Sequence, residues 1–503
     1  MSFRNSSGYP KVFLRLVFVI AAVLAFGSPG AHHASAQRAA FDFAAVDEFI
    51  QSEMAAIRIP GLALAIVQGN EIIYQKGFGI ADPSGNPVTP QTPFNIGSVS
   101  KAFTALTVMQ LAEDGTLELD APVQRYLPWF LVADAEAASH ITILDLLNHT
   151  SGIPTTAGND YSGKDDMSGE ALEHRVRALS SVELDRPVGL NFEYSNANYD
   201  ILGLIVQVVS GQSYEQVVRQ NIFVPLDMNN SFSSRKEAVQ HSAAIGYRMW
   251  FGFPFPYSEA APRAHLPSGQ QFSSAEDLAH LIVAHLHDGN FQGNPILSPA
   301  WIESMQNTPV SSGAGCATYS MHWSHSSGCD SSALGLSGDT ANFKTRILMD
   351  KDEKLAVIVL MNAQAIGLNG PRQDWIEDGV LSLLHGEMPV PASPHNIQIL
   401  ASMGLIEVVT AALILNEIRF IGTSRNQLPG TKRQSILLLA FVILWLLLLA
   451  GMVNLAAGSL SIHPLAFMLE NIPDLGWMIV LSASIVFSIG FFRAITLSKA
   501  FKG

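Results

Sequence analysis

The chain has 503 residues, of which 48% are hydrophobic and 14% are charged, and its formal net charge is −14. That length allows two or three domains with a large core, and a mean hydropathy of +0.24 indicates membrane segments in part of the chain. The acidic surface disfavours nucleic acids and anionic polymers as partners, although acidity also serves simply to keep a domain soluble.

Residues 1–36 have the pattern of a cleavable signal peptide, with basic residues, an apolar run over 16–26 and the small residues of 34–36. An uncleaved N-terminal anchor is the alternative, but the apolar run is short and a cleavage pattern follows it. We therefore predict that the protein is exported and that residues 37–392 form its first folded domain.

The first predicted elements of that domain are a helix and a β-hairpin. Residues 41–57 have amphipathic helical periodicity. The β-rich runs 61–67 and 71–79 follow, and Gly69-Asn70 between them is a hairpin signal.

A matching pattern closes the domain, with strand-like runs at 343–349 and 355–361 and a helix at about 373–385. If the terminal strands share one antiparallel sheet, the terminal helices cover one face and the mainly helical middle covers the other, with a cleft beside the sheet. The predicted fold class is therefore α+β, an antiparallel sheet flanked by helices plus a mainly helical subdomain.

Ser98 and Lys101 are the most informative pair in the chain. A serine needs a base to become a good nucleophile, and a lysine of lowered pKa on the same helix face, three residues later, can be that base. A second pair, Ser233 and Lys236, lacks apolar periodicity around it and is predicted to lie in a solvated loop. After Ser98, by contrast, an apolar stripe at helical spacing predicts a core helix that opens on the serine: Val99, Phe103, Leu106 and Met109.

The two cysteines, Cys316 and Cys329, could close a local disulfide loop in an oxidising compartment or remain as two free thiols. His322 and His325 lie between them, but the spacing is not that of a zinc site, so no metal is expected. Three further histidines are predicted to lie on a helix surface: His280, His285 and His287.

Residues 393–503 contain three apolar stretches, near 397–416, 436–458 and 475–492, each about the length that spans a bilayer as a helix. Basic residues lie between the first two stretches and after the third, whereas acidic residues lie between the second and third. The positive-inside rule then predicts a multi-pass cell-membrane protein with its folded domain on the extracytoplasmic side and its C-terminus in the cytoplasm.

Several segments resemble the serine β-lactamase and penicillin-binding-protein superfamily, in particular its class C branch with related esterases and D-amino-acid peptidases. Residues 92–101 resemble the nucleophile segment, 141–154 the linking segment and 187–196 the second motif. The similarity extends through 225–228 and 272–278 and covers nearly the whole exported domain.

The resemblance implies a role for each matched residue. Ser98 would attack the carbonyl, Lys101 would take its proton, Tyr194 would pass a proton to the leaving group, and Asn196 would orient the substrate amide. Taken singly, these residues could instead be a helix cap, a surface charge, a core ring and a turn residue.

The third motif departs from the family pattern. Residues 335–343 carry Leu336 where the family usually has lysine or histidine, so the usual contact to a substrate carboxylate is missing. Ser337, Gly338 and Asp339 remain candidate substrate-binding residues, with the Asp339 N–H completing an oxyanion hole. β-Lactamase and D-Ala-D-Ala carboxypeptidase activities are therefore doubtful, whereas ester or uncharged amide hydrolysis is compatible.

The sequence thus predicts an exported, membrane-anchored serine hydrolase that forms an acyl-enzyme on Ser98 with an ester, amide or D-amino-acid peptide and needs no cofactor. A catalytically weak penicillin-binding or peptidoglycan-sensing protein is the alternative that Leu336 motivates. Transport, suggested by Glu407 in the first apolar stretch, is a third and weaker hypothesis. The oligomeric state stays open.

Overall fold

The computed structural model describes residues 41–159, 166–250, 253–258, 261–313, 317–325, 333–365 and 370–389, together with position 480. Its α-helices are α1 (Phe43–Ile57), α2 (Ser100–Glu113), α3 (Ala135–His140), α4 (Ile143–Leu147), α5 (Thr155–Gly158), α6 (Ala171–Arg177), α7 (Asn196–Ser210), α8 (Tyr214–Val218), α9 (Arg235–Gln240), α10 (Leu266–Gly269), α11 (Ala275–Leu286), α12 (Pro299–Gln306), α13 (Gly370–Gln373) and α14 (Ile376–Leu384).

Of the described strands, eight form the main sheet and seven short ones pair outside it. In chain order the strands are β1 (Gly61–Gln68), β2 (Glu71–Gly79), β3 (Phe94–Asn95), β4 (Tyr247–Trp250), β5 (Phe253–Pro256), β6 (Phe272–Ser273), β7 (Asn290–Phe291), β8 (Asn294–Pro295), β9 (Val310–Ser311), β10 (Thr318–Ser320), β11 (Trp323–His325), β12 (Ala333–Asp339), β13 (Lys344–Asp350), β14 (Leu355–Met361) and β15 (Ala363–Gln364).

The central sheet has eight strands in the order β2-β1-β14-β13-β12-β11-β10-β9. Every neighbouring pair in it is antiparallel, and β14, near the end of the domain, pairs with β1, near its start. The predicted closure of the domain by its terminal strands is therefore confirmed. All seven residues of β14 are buried, as expected for a strand covered on both faces.

Helices cover both faces of this sheet, as the sequence predicted. Helices α1 and α14 pack together on one face, with the rings of Phe49 and Trp375 edge to face at 5.4 Å. Gly379 permits this packing, because a Cβ there would lie 2.3 Å from the Phe49 ring. Helix α11 covers β1 and β14 from the other face. The described domain is the predicted α+β fold.

Helix α2 is the predicted core helix, and more of it is buried than its apolar stripe alone. The predicted stripe is buried, but so are polar residues on its other faces, including Ser100, Thr104 and Thr107. Each of these hydroxyls has a hydrogen-bond partner. The helix lies between the sheet and the helical subdomain, so buried hydroxyls replace the solvent-facing side that an amphipathic helix would show.

Two local predictions were wrong. The second serine and lysine pair does not lie in one solvated loop, because Ser233 is buried just before α9 and Lys236 lies within that helix. His285 is not on a helix surface; it is buried against Trp323, with ring centroids 5.2 Å apart. In both places, residues from a later part of the chain cover positions that the polar sequence predicts to be exposed to solvent.

Some predictions fall outside the described residues. These are the signal peptide at 1–36, both cysteines and, apart from position 480, the three apolar stretches of 393–503. Within the described residues, no helix has the length and apolar character that crossing a membrane requires.

Candidate active site

Ser98 lies in a 3-10 turn, Gly97–Val99, that leads directly into α2. The turn presses against β12: a Cβ on Gly97, whose φ is +52°, would lie 2.7 Å from the Asp339 nitrogen, and a Cβ on Gly338 would lie 1.9 Å from the Ile96 oxygen. Two glycines therefore allow the serine turn and the strand backbone to meet. This contact sets the backbone nitrogen of Asp339 against the turn that carries Ser98.

Lys101 follows Ser98 by three residues, and its side chain is only 1% exposed. Its Nζ lies 3.3 Å from Ser98 Oγ. The same atom lies 2.6 Å from Asn196 Oδ1 and 2.6 Å from the carbonyl oxygen of Ser268. Lys101 is therefore a buried amine held among three oxygen atoms, not a surface charge.

The electrostatics of Lys101 favour its neutral form more than in a typical lysine. Burial lowers the pKa of its amine from 10.5 to about 7, although the charge of Asp200 acts in the opposite direction. Asp200 is itself fully buried and pairs with His265 at 3.0 Å and Arg175 at 3.5 Å. At neutral pH a large fraction of Lys101 is thus unprotonated.

Tyr194 reaches the same serine from the helical subdomain, and its hydroxyl donates to Ser98 Oγ at 2.8 Å. Burial raises the pKa of the Tyr194 phenol, the hydrogen bond to Ser98 lowers it, and the negative charges of Asp339 and Asp200 raise it further. The net shift is upward, so Tyr194 is a phenol and a proton donor at neutral pH.

Asn196 is the first residue of α7 and comes two positions after Tyr194. Its Oδ1 accepts from Lys101, and its Nδ2 donates to Asn159 Oδ1 at 2.9 Å. Its amide orientation is therefore set by partners on both sides. Together these contacts bring the predicted residues Ser98, Lys101, Tyr194 and Asn196 into one hydrogen-bonded group.

His149 belongs to this group, although the sequence analysis gave it no role. Its carbonyl accepts from the Glu193 N–H at 2.8 Å, and its Nδ1 accepts from the Ser195 N–H at 3.2 Å. Its ring packs on Tyr194 with centroids 4.5 Å apart. One histidine thus holds the residues before and after Tyr194 and contacts the tyrosine ring itself. In the sequence, the indication of this role is that His149 lies in the segment 141–154, which resembles the linking segment of the family.

Strand β12 presents the third motif with alternating burial. Leu336 is 4% exposed and belongs to the main core, whereas Ser337 and Asp339 are on the exposed side of the strand. Ser337 Oγ donates to Asp339 Oδ2 at 3.0 Å and accepts from Arg346 Nη1 at 2.9 Å. The leucine is therefore a core residue, and the polar groups at this edge are the serine and the aspartate.

Three of the four grouped residues, Ser98, Lys101 and Tyr194, line a cleft of about 450 Å³. A larger cavity, about 820 Å³, lies elsewhere and is lined by none of them, so its size does not indicate chemistry. Among the described residues, no group of histidine, cysteine and carboxylate side chains could hold a metal ion. The described lining of the smaller cleft consists of Ser98, Lys101, Phe192, Tyr194, Ser312, Ala317, Thr318, Tyr319, His322, Ser324, His325, Ser337 and Asp339.

Comparison with known proteins places this geometry in a family. The family model described as Beta-lactamase matches residues 46–377. Protein flp of Staphylococcus aureus is 31% identical over 324 residues, which cover 63% of this chain and 62% of that protein. Penicillin-binding protein 4 of Amycolatopsis lactamdurans is 34% identical over 270 residues, or 52% of this chain and 68% of that protein.

A solved structure shows the same fold. The octameric penicillin-binding protein homologue from Pyrococcus abyssi superposes with a TM-score of 0.59 at 28% sequence identity, covering 70% of this chain and 79% of that one. The matched family region contains the serine turn, α2, α7 and all eight strands of the main sheet. The chain therefore belongs to the β-lactamase family of serine hydrolases.

Proposed function

We propose that this protein hydrolyses an ester or amide through an acyl-enzyme on Ser98, with Lys101 as the general base and Tyr194 as the proton donor. The observation that carries the proposal is the pair of contacts on Ser98 Oγ, 2.8 Å from the Tyr194 hydroxyl and 3.3 Å from Lys101 Nζ. A nucleophile with a base and an acid on the same oxygen is the arrangement that acyl transfer requires.

We assign the resting proton positions from the contacts of a neutral Lys101 amine. A neutral amine has two N–H donors and one lone pair, and the two shorter contacts of Lys101, to Asn196 and to the Ser268 carbonyl, use the donors. The lone pair is then left for the hydroxyl proton of Ser98. Because Tyr194 donates to Ser98 Oγ, the serine proton is directed toward Lys101.

Acylation follows from these positions. Ser98 Oγ bonds to the substrate carbonyl carbon as its proton moves to Lys101, and the N–H groups of Ser98 and Asp339 stabilise the oxyanion. When the tetrahedral intermediate breaks the bond to the leaving group, Tyr194 gives that group its proton. Lys101 then returns its proton to Tyr194, so both groups recover their starting form.

Deacylation repeats the sequence with water as the nucleophile. Lys101 takes a proton from water, the oxygen of water bonds to the acyl carbon, and the bond to Ser98 Oγ breaks as the serine regains a proton. The products are the free acid and the resting enzyme. No cofactor enters either half of the reaction.

The substrate class and location belong to the same proposal. An ester, an amide or a D-amino-acid peptide fits a cleft whose third motif has a buried leucine in place of a cation. The signal-peptide pattern and the three apolar stretches support export and membrane anchoring, with the domain outside and the C-terminus inside.

The test is a substrate panel assayed on the wild type and on Ser98→Ala. The panel contains simple esters, D-amino-acid peptides and a chromogenic β-lactam. We expect turnover of at least one ester or peptide, lost by a factor of about a thousand or more in Ser98→Ala. Equal turnover by both proteins would overturn the proposal.

A second candidate function is a penicillin-binding or peptidoglycan-sensing protein with little turnover. The replacement of the usual cation by Leu336 favours it, and it is compatible with the similarity to Penicillin-binding protein 4. The deacylation rate separates the two functions. An acyl adduct that persists for hours supports sensing, whereas release within seconds supports hydrolysis.

A further inference from the structure

The charge of the cleft is set by very few side chains. Among the described lining residues, Asp339 is the one carboxylate and Lys101 the one amine. The histidines of the lining, His322 and His325, have pKa values lowered by burial and are uncharged at neutral pH. Because the pKa of Lys101 is lowered to about 7, its amine carries only part of a positive charge at neutral pH, so the described lining has a net negative charge.

Asp339 is held rigidly, and its carboxylate still reaches the cleft. Its Oδ1 accepts from Lys344 Nζ at 2.7 Å and Gln364 Nε2 at 2.9 Å, and its Oδ2 accepts from Ser337 Oγ at 3.0 Å. A carboxylate has about four acceptor positions, so these described donors occupy three and leave one on Oδ2. The Asp339 side chain is 45% exposed.

Asp339 also contacts the serine turn through its backbone. The backbone nitrogen of Asp339 lies against the serine turn, 2.7 Å from where a Cβ on Gly97 would be, so the aspartate side chain is attached next to that turn. Its negative charge contributes to the raised pKa of Tyr194. The neighbouring cation Arg346 does not line the cleft and pairs with Glu377.

We propose that Asp339 gives this cleft a charge preference, favouring esters or amides that carry an ammonium group near the scissile carbonyl over those that carry a carboxylate there. This inference rests on the proposed function, because it names the substrate class of the same site. The ammonium would donate to the remaining acceptor position on Oδ2, whereas a carboxylate would be repelled. Relative to an uncharged group, the attraction of the ammonium and the repulsion of the carboxylate should each change kcat/KM by about ten-fold or more in a partly solvated site.

Three esters with one leaving group test the proposal, with acyl chains of equal length that end in an ammonium, a methyl or a carboxylate group. The variant is Asp339→Asn, which keeps the size of the side chain. The matched control is Asp374→Asn, which removes an equal charge from the same Lys344 but lies outside the described cleft lining. Binding of the same esters to Ser98→Ala, measured by calorimetry, gives a readout that needs no turnover.

We expect the wild type to prefer the ammonium ester over the carboxylate ester by more than ten-fold. Asp339→Asn should reduce that ratio at least ten-fold, and Asp374→Asn should leave it within about two-fold. An unchanged ratio in Asp339→Asn, or an equal change in both variants, would overturn the inference. If the charge preference appears in binding to Ser98→Ala while the wild type turns over none of the esters, the inference holds and the proposed function fails.

Discussion

The pH dependence of catalysis follows from the burial of Lys101. With its pKa lowered to about 7, the neutral fraction of the amine is about 10% at pH 6 and about 90% at pH 8. If the neutral amine is the base, kcat/KM for an uncharged ester rises about nine-fold between these values and then levels off. A lysine with its ordinary pKa of 10.5 would instead give a rate that rises ten-fold per pH unit through pH 9.

The same shift affects folding stability, which provides an independent measurement. Between about pH 7 and 10.5 the unfolded chain binds a proton at Lys101 that the folded chain does not, so the free energy of unfolding rises with pH in that window. The slope is about 1.4 kcal/mol per pH unit, or about 3 kcal/mol between pH 7.5 and 9.5. Lys101→Met removes the titrating group, so this increment should disappear from the variant.

The assays are ester hydrolysis from pH 5.5 to 9.5, with Ser98→Ala as the background, and urea unfolding of wild type and Lys101→Met at pH 7.5 and 9.5. A flat rate profile, or one that rises without a plateau through pH 9, would refute the assignment of Lys101 as a neutral base. Identical pH dependence of unfolding in the two proteins would refute the shifted pKa itself.

Three further substitutions test the surroundings of the site. His149→Phe should lower kcat about 10- to 100-fold with little change in KM, because it loses the ring nitrogen that accepts from the Ser195 N–H. His149→Asn should retain more activity, because its amide oxygen can accept that hydrogen bond and asparagine tolerates the φ of +56°. An equal loss of kcat in both variants would argue against a positioning role for His149. Gly338→Ala puts a Cβ 1.9 Å from the backbone oxygen of Ile96, so it should lower the free energy of unfolding by at least about 2 kcal/mol and remove most activity. In Gly335→Ala the nearest contact of the new Cβ is at 3.7 Å, so unfolding and rate measurements should show neither effect. Leu336→Lys should lower the free energy of unfolding, measured in urea, by about 2 to 5 kcal/mol, because it buries a charge in the core. Leu336→Met should lower it by less than about 1.5 kcal/mol. A lysine variant as stable as the wild type would contradict the burial of this position.

The periodic parts of the fold were predictable from sequence. The helix at α1 and the strands β1, β2, β13 and β14 lie within one or two residues of their predictions. Each has a regular hydrophobic pattern, and the pairs β1–β2 and β13–β14 join strands that are close in sequence, so local residues carry most of the information. The short strands β9, β10 and β11 had no such pattern and depend on the edge that β12 offers.

The candidate site was predictable in its residue types but not in its supports. Ser98, Lys101, Tyr194 and Asn196 could be named because motif spacing and family resemblance both mark them. The acceptor that holds the lysine, the carbonyl of Ser268, could not be named, because a backbone oxygen brought near by the fold leaves no trace in composition. His149 was missed for a related reason, since its role depends on two N–H groups more than 40 positions away.

The most direct test of the account is the position of the covalent adduct. The wild type is treated with a fluorophosphonate and, separately, with a penicillin, and the modified peptide is identified by mass spectrometry. We predict an adduct on Ser98 from at least one probe, absent in Ser98→Ala and formed much more slowly in Lys101→Met. An adduct on another residue, or equal labelling of Ser98→Ala, would contradict it.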